Sequence, residues 1–338
     1  MAVRHRVASR RVAGCIGLHG KVSSRRGIGH TPIVASRALA LVGPAVVAVA
    51  LLAVPAHADG RAGIDLDASS VAIEPAPATE AILDALVRAG RHWRLDTSRG
   101  AVHAWAPADY DAATAATVVF VHGYWIHADD AWASYRLAQQ FALSGLNALF
   151  VVPEAPANKW DSIAWPSLAE LVRAVGQGID VAMPAQRLVA IGHSGAYRTL
   201  ALWLAEPALD TVVLLDALYT EWGLLAWVRA SPEHRLVNIV YETGRFSNYL
   251  HGRLPSTRRV DGLPPGGLPD ARIVYARTAV GHWDLVTDGV ALPLALRAIH
   301  VPAVASAPLD LALGLPPRPP PIELPDDLPS CSDLSPAL

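Results

Sequence analysis

RLVAIGHSGAYRTLALWL, from Arg187 to Leu204, decides how the chain is read. Leu188 to Ile191 is a short apolar run, Gly192-His193-Ser194-Gly195-Ala196 is a cluster of small residues, and an amphipathic run follows. Apolar run, sharp punctuation and helical spacing in that order predict a strand, a tight turn and a helix. A serine at the apex of such a turn is pushed out of the sheet plane, its hydroxyl exposed and a helix N-terminus beneath it. Small neighbours are needed because the backbone is strained there and adjoining elements come close. Alone, the pattern also suits a Gly/Ser-rich strand-to-helix turn of any doubly wound fold. The rest of the chain must choose.

Working outward, Thr79 to Ala89 has helical spacing, and His92 to Leu95 and Ala101 to Trp105 read as two short strands joined by Ser98-Arg99-Gly100. Thr117 to Val121 is a continuous apolar run, the signature of a strand buried on both faces of a parallel sheet. Further apolar strands are expected at Ala148 to Val152, Val212 to Leu215, Leu236 to Tyr241 and Arg272 to Ala276. Helices are expected at Ala131 to Leu143, Ser167 to Val175, Gly223 to Arg229 and Asp284 to Ile299. Six apolar strands alternating with helices imply an α/β fold, a mainly parallel central sheet with helices on both faces. Ligands of such sheets collect beyond the carboxyl ends of the strands, where the polar residues of this chain also fall.

The GHSGA stretch resembles the G-x-S-x-G nucleophile elbow of the α/β-hydrolase superfamily, with Ala196 standing where the last glycine would be. The resemblance spans about Thr117 to Ile299 and implies a serine hydrolase, esterase-like, on an α/β-hydrolase fold. His122-Gly123 after the TVVFV strand is similar to the superfamily's HG motif, which implies an oxyanion hole from the backbone N–H groups of Tyr124 and Gly195. Gly281-His282 follows the last strand, the position of the superfamily's general base. Two carboxylates suit the remaining place in a Ser-His-acid triad, Asp216 after the strand that follows the elbow helix and Glu242 after the next strand. We assign Asp216 and keep Glu242 as the alternative acid. An isolated carboxylate at the tip of Val-Val-Leu-Leu would be costly to desolvate without a cationic or N–H partner. Trp125, Tyr219 and Trp222 are candidates for the substrate pocket.

The two ends read differently from the middle. Residues 1–58 hold eight Lys/Arg and no acid; an apolar stretch, Ala38 to Val54, then leads to Pro55-Ala56-His57-Ala58. These are the parts of a signal peptide cleaved after Ala58, and the weaker reading is a retained membrane helix. The long basic start suggests true initiation near Val34, with a twin-arginine signal at Arg10-Arg11 as the alternative. The expected domains are therefore a signal peptide over 1–58, a hydrolase domain over 59–300 and a Pro-rich tail over 301–338.

Past Ala58, 20 of the 28 Lys/Arg remain against all 30 Asp/Glu, a formal charge of −10 that disfavours nucleic acid as a partner. Cys331 is the sole cysteine left, which excludes a disulfide framework and a Cys-based zinc site. The expectation is an exported enzyme, periplasmic or secreted, that cleaves a carboxylic ester through an acyl-enzyme. No cofactor, metal or membrane contact is expected after cleavage, and the partner is a small-molecule ester or amide. The alternatives are an amidase or peptidase with the same residues, and a non-catalytic relative that binds ligands in the cell envelope.

Overall fold

The computed structural model describes residues 77–305 apart from Gln186 and Trp222. The expected signal peptide, the tail from residue 306 onward and Trp222 lie outside the described residues. Helix α1 (Pro77–Ala89) leads into the antiparallel hairpin β1 (Arg91–Thr97) and β2 (Gly100–Ala106). Then come β3 (Ala116–Val121), α2 (Ala128–Ser134), α3 (Leu137–Ser144), β4 (Ala148–Pro153), α4 (Leu168–Gly178) and β5 (Leu188–His193). A 3-10 turn, Ser194–Ala196, joins β5 to α5 (Tyr197–Trp203). The remainder is β6 (Leu209–Leu215), α6 (Leu224–Ala230), β7 (Arg235–Val240), α7 (Gly244–Gly252), β8 (Arg258–Asp261), β9 (Ile273–Arg277), α8 (Asp284–Thr287) and α9 (Ala291–Arg297).

The strands form a single sheet of order β1-β2-β4-β3-β5-β6-β7-β9-β8. Only β2 runs against the rest, because it pairs antiparallel with both β1 and β4 while all other pairs are parallel. Alternation along the buried strands feeds two cores. Val119 and Val121 pack with Leu171 of α4, Leu200 of α5 and Val228 of α6, whereas Val118 and Phe120 pack with Phe141 of α3 and Leu296 of α9. This is why β3 reads as an unbroken apolar run: neither face meets water. Local chemistry agrees where it is visible. Ser167 caps α4 by accepting the Glu170 N–H at 3.2 Å, a contact whose loss costs about 1 kcal/mol.

Two expected helices are broken in two. The segment Ala131 to Leu143 breaks at Arg136, which is left-handed at φ 51°. The buried Gln140 amide meets the break, its Nε2 donating to the carbonyls of Tyr135 (2.6 Å) and Val286 (2.7 Å). The segment Asp284 to Ile299 breaks at Gly289 (φ 74°), so that Pro293 falls in the first turn of α9, where its missing N–H costs nothing. Helix α7 and edge strand β8 were not among the expected elements. Residues 301–304, expected as tail, stay on the domain. Leu146 bridges Ala303, Asn147 N–H donates to the Pro302 carbonyl at 2.7 Å, and Val304 N–H to that of Gly145 at 2.9 Å. No helix among the described residues is long and apolar enough to cross a membrane.

His251 of α7 is buried and stacked on Tyr275, and its Nε2 accepts from the Asn238 amide at 3.1 Å. Burial, helped by nearby Arg259, pushes its pKa down to about 3. The unfolded chain therefore takes up this proton first as the pH falls. Stability is complete above about pH 6.5 and is lost progressively toward pH 3, about 1.4 kcal/mol for this group by pH 5.5. Urea unfolding at pH 7.5 and 5.5 should show His251→Gln losing about 1.4 kcal/mol less than the native protein between the two conditions.

Candidate active site

Ser194 follows β5 in the left-handed region, at φ 51°, and begins the turn into α5. Three glycines make this geometry possible. A Cβ on Gly192 would lie 2.9 Å from Leu200 and 3.0 Å from the Cβ of Ala196. A Cβ on Gly123 would lie 2.8 Å from the Cβ of Ser194, and one on Gly195 would lie 2.5 Å from the Tyr124 ring. The loop after β3 and the turn after β5 therefore pack closely, Gly123 against Ser194 and His193 and Gly195 against the Tyr124 ring. At Ala196 a methyl group fits, which explains why the fifth position of GHSGA need not be glycine.

His122 orders the loop after β3. Its Nε2 accepts the Ala155 N–H at 3.1 Å, so the proton sits on Nδ1, which donates to the Gly123 carbonyl at 2.8 Å. The Trp125 N–H is spent on the Ala157 carbonyl at 2.7 Å, whereas the Tyr124 N–H has no acceptor among the described residues. The Gly195 N–H, in the first turn after β5, has no helical acceptor either. Both amides are free donors beside Ser194. Burial pushes the Tyr124 hydroxyl up to about 12 against the opposing pull of Arg198, so it stays protonated.

Asp216 follows β6, is itself left-handed at φ 48°, and is fully buried. The chain after β7 wraps it in donors. Its Oδ1 accepts the N–H groups of Tyr241 (3.1 Å), Glu242 (3.0 Å) and Thr243 (2.9 Å), and the Thr243 hydroxyl at 2.8 Å. His282, in the loop between β9 and α8, donates Nδ1–H to Asp216 Oδ2 at 2.7 Å. Burial alone would raise the Asp216 pKa; the His282 hydrogen bond and charge and the Thr243 and Glu242 amides overcome it and hold it near 2. The other nitrogen of His282, Nε2, is buried without a hydrogen-bond partner, and so makes none with Ser194 in this structure.

His282 thus pairs with Asp216. Glu242 is exposed and serves Asp216 through its backbone N–H. The carboxylates of Asp216 and Glu242 and the His282 imidazole offer atoms within 4.8 Å of one another, the spacing of a metal site. The donors do not suit one: Asp216 already accepts from five groups, and His282 Nδ1 carries the shared proton. Trp125 is 41% exposed and left-handed at φ 70°, whereas Tyr219 is buried beside the Tyr197 ring.

No family model matches the chain, and no curated protein is significantly similar to it. Solved structures do match in shape. The feruloyl esterase module from Clostridium thermocellum, complexed with sinapinate, aligns with a TM-score of 0.43 and 9% identity over 62% of this chain and 88% of that one. An S-formylglutathione hydrolase from Agrobacterium tumefaciens aligns at 0.42 and 10% identity, over 63% and 95%. A putative thioesterase from Silicibacter sp. aligns at 0.36 and 16% identity, over 71% and 95%. These likenesses are distant, and the assignment rests on the sheet itself: parallel strands with β2 reversed, a left-handed serine after β5, and an acid and a histidine after later strands. The chain has the α/β-hydrolase fold.

In that fold the two acids differ in what their neutralisation does. Asp216→Asn sets an amide N–H₂ against a ring of N–H donors and should cost about 2–4 kcal/mol of stability by urea unfolding. Glu242→Gln, which keeps the backbone donor, should stay within about 0.5 kcal/mol of the native protein.

Proposed function

We propose that the protein is an exported serine hydrolase that cleaves a carboxylic ester through an acyl-enzyme, with Ser194, His282 and Asp216 as its triad. One observation carries the reading. His282 is fixed through Nδ1 to a buried, charged Asp216 at 2.7 Å while its Nε2 is left buried and unpartnered, on the strand ends that carry Ser194. An unpaired buried acceptor costs stability, and a base awaiting the proton of a nucleophile accounts for it.

In this mechanism the Ser194 Oγ attacks the ester carbonyl carbon as His282 Nε2 takes the hydroxyl proton. Asp216 holds the Nδ1–H tautomer and stabilises the imidazolium that forms. The carbonyl oxygen, now negative, receives the Tyr124 and Gly195 N–H groups. As the tetrahedral intermediate collapses, the C–O bond to the alcohol breaks and His282 returns the proton to that oxygen. Water, deprotonated by the same imidazole, then releases the acid and restores the serine. A hydrogen bond between Ser194 and His282 that is unmade in the free enzyme fits this scheme, because such bonds commonly tighten only when substrate is bound.

A fluorophosphonate probe should label the native protein and not Ser194→Ala; a folded native protein that stays unlabelled would instead be a binding module. On p-nitrophenyl esters, Asp216→Asn should lower kcat by about 10³–10⁴, and Glu242→Gln by less than about threefold. Rates on the matching p-nitroanilides separate an esterase from an amidase.

A further inference from the structure

His193, the residue before Ser194, is fully buried and takes no part in the chemistry above. Its Nε2–H donates to the backbone carbonyl of His282 at 3.0 Å. A carbonyl can only accept, so the proton is on Nε2 and the tautomer is fixed. The ring lies 4.6 Å from the His282 ring, inclined by 40°, and 5.5 Å from that of Trp283, with Tyr135 edge-on at 6.3 Å. Its Nδ1 is buried and unpartnered, 3.1 Å from where a Cβ on Gly123 would stand. Burial, reinforced by neighbouring His282, pushes its pKa down to about 3, so it adds no second charge beside an imidazolium.

The loop that carries His282 leaves the sheet after Thr278, whose N–H donates to the Val240 carbonyl at 3.0 Å, and re-enters ordered structure at α8. Between these points, two hydrogen bonds to other segments hold it among the described residues. One fixes the imidazole, through Asp216; the other fixes the backbone, through His193. The first sets how the ring is turned, but a ring so held can still slide with its loop toward or away from the nucleophile. The second ties the main chain at His282 to the residue covalently joined to Ser194.

We propose that His193 is a positioning residue: its Nε2–H, bonded to the His282 carbonyl, sets the separation of the Ser194 hydroxyl and the His282 base. The proposal rests on the triad reading given above. It makes the second position of GHSGA a determinant of rate and not only of packing.

The test compares His193→Phe, which keeps ring volume but has no donor, with His193→Gln, whose Nε2–H can reach the same carbonyl. His193→Asn is polar but too short to reach it. On p-nitrophenyl butyrate, Phe should lower kcat by about 10²-fold with KM unchanged, and slow fluorophosphonate labelling equally. Gln should regain most of both rates, and Asn should remain slow. Native-like kcat in a folded Phe variant overturns the proposal, as do equal rates for Gln and Asn at matched melting temperatures; the second comparison serves if Phe does not fold. A native protein that takes no label overturns the triad reading and this proposal together. A labelled native protein with an equally fast Phe variant overturns this proposal alone.

Discussion

A carboxylate with no contact to water must be solvated by the protein, and at Asp216 that requirement binds three distant stretches of chain together. Its charge is met by the amides of residues 241–243 beyond β7, the Thr243 hydroxyl, and the imidazole from beyond β9. Uncompensated, a buried anion would protonate or unfold its surroundings. Compensated, it gives a permanently negative point to which His282 is the one side-chain ring attached. His282 supplies the largest part of the compensation, and the main-chain donors beside it come from the turn between β7 and α7, which the chain could not place there without running β7 beside β6. Register and electrostatics are thus one constraint: sliding β7 by a residue would turn the amides of 241–243 away and leave the charge bare.

The same arrangement explains what could and could not be read from the sequence. The apolar runs of β3 to β7 and β9 were legible because strands buried on both faces have no polar positions to blur them. The β1–β2 hairpin was legible from its turn residues, and Ser194 from the small residues around it. Chain order narrowed the acid to Asp216 or Glu242 but could not decide, since both follow apolar strands. What separates them is which way the main chain faces after β7. Glu242 turns its N–H inward and its side chain to solvent, and no composition rule carries that information. The broken helices were hidden for a related reason. Arg136 has ordinary helical propensity, and its left-handed turn is held by Gln140, whose second acceptor is Val286. A contact across that much sequence leaves no local pattern. Pro293 did leave a local signal, since proline deep inside a helix is excluded. Strand β8, Arg258–Asp261, sits at the sheet edge with its charged side chains largely exposed, so it lacks the apolar run that marks the others.

Backbone strain gathers at the ends of the same strands. Six residues other than glycine have positive φ among the described residues, and three of them, Trp125, Ser194 and Asp216, lie at or just beyond the carboxyl ends of β3, β5 and β6. Adjacent parallel strands must each reverse direction there, and a left-handed residue turns the chain within one step while lifting its side chain off the sheet. Each such residue costs on the order of 1 kcal/mol or more, and persists only where its surroundings permit no alternative. At Ser194 the crowding comes from Gly123, which lies too close to hold a methyl group; at Asp216 the surroundings are the donors described above. Relaxing either residue would break contacts worth more than the strain relieved. Ser194 and Asp216 are therefore held by opposite means, one by crowding and the other by charge, and His282 is anchored on the charged side through Nδ1 while its Nε2 stays buried and unpaired.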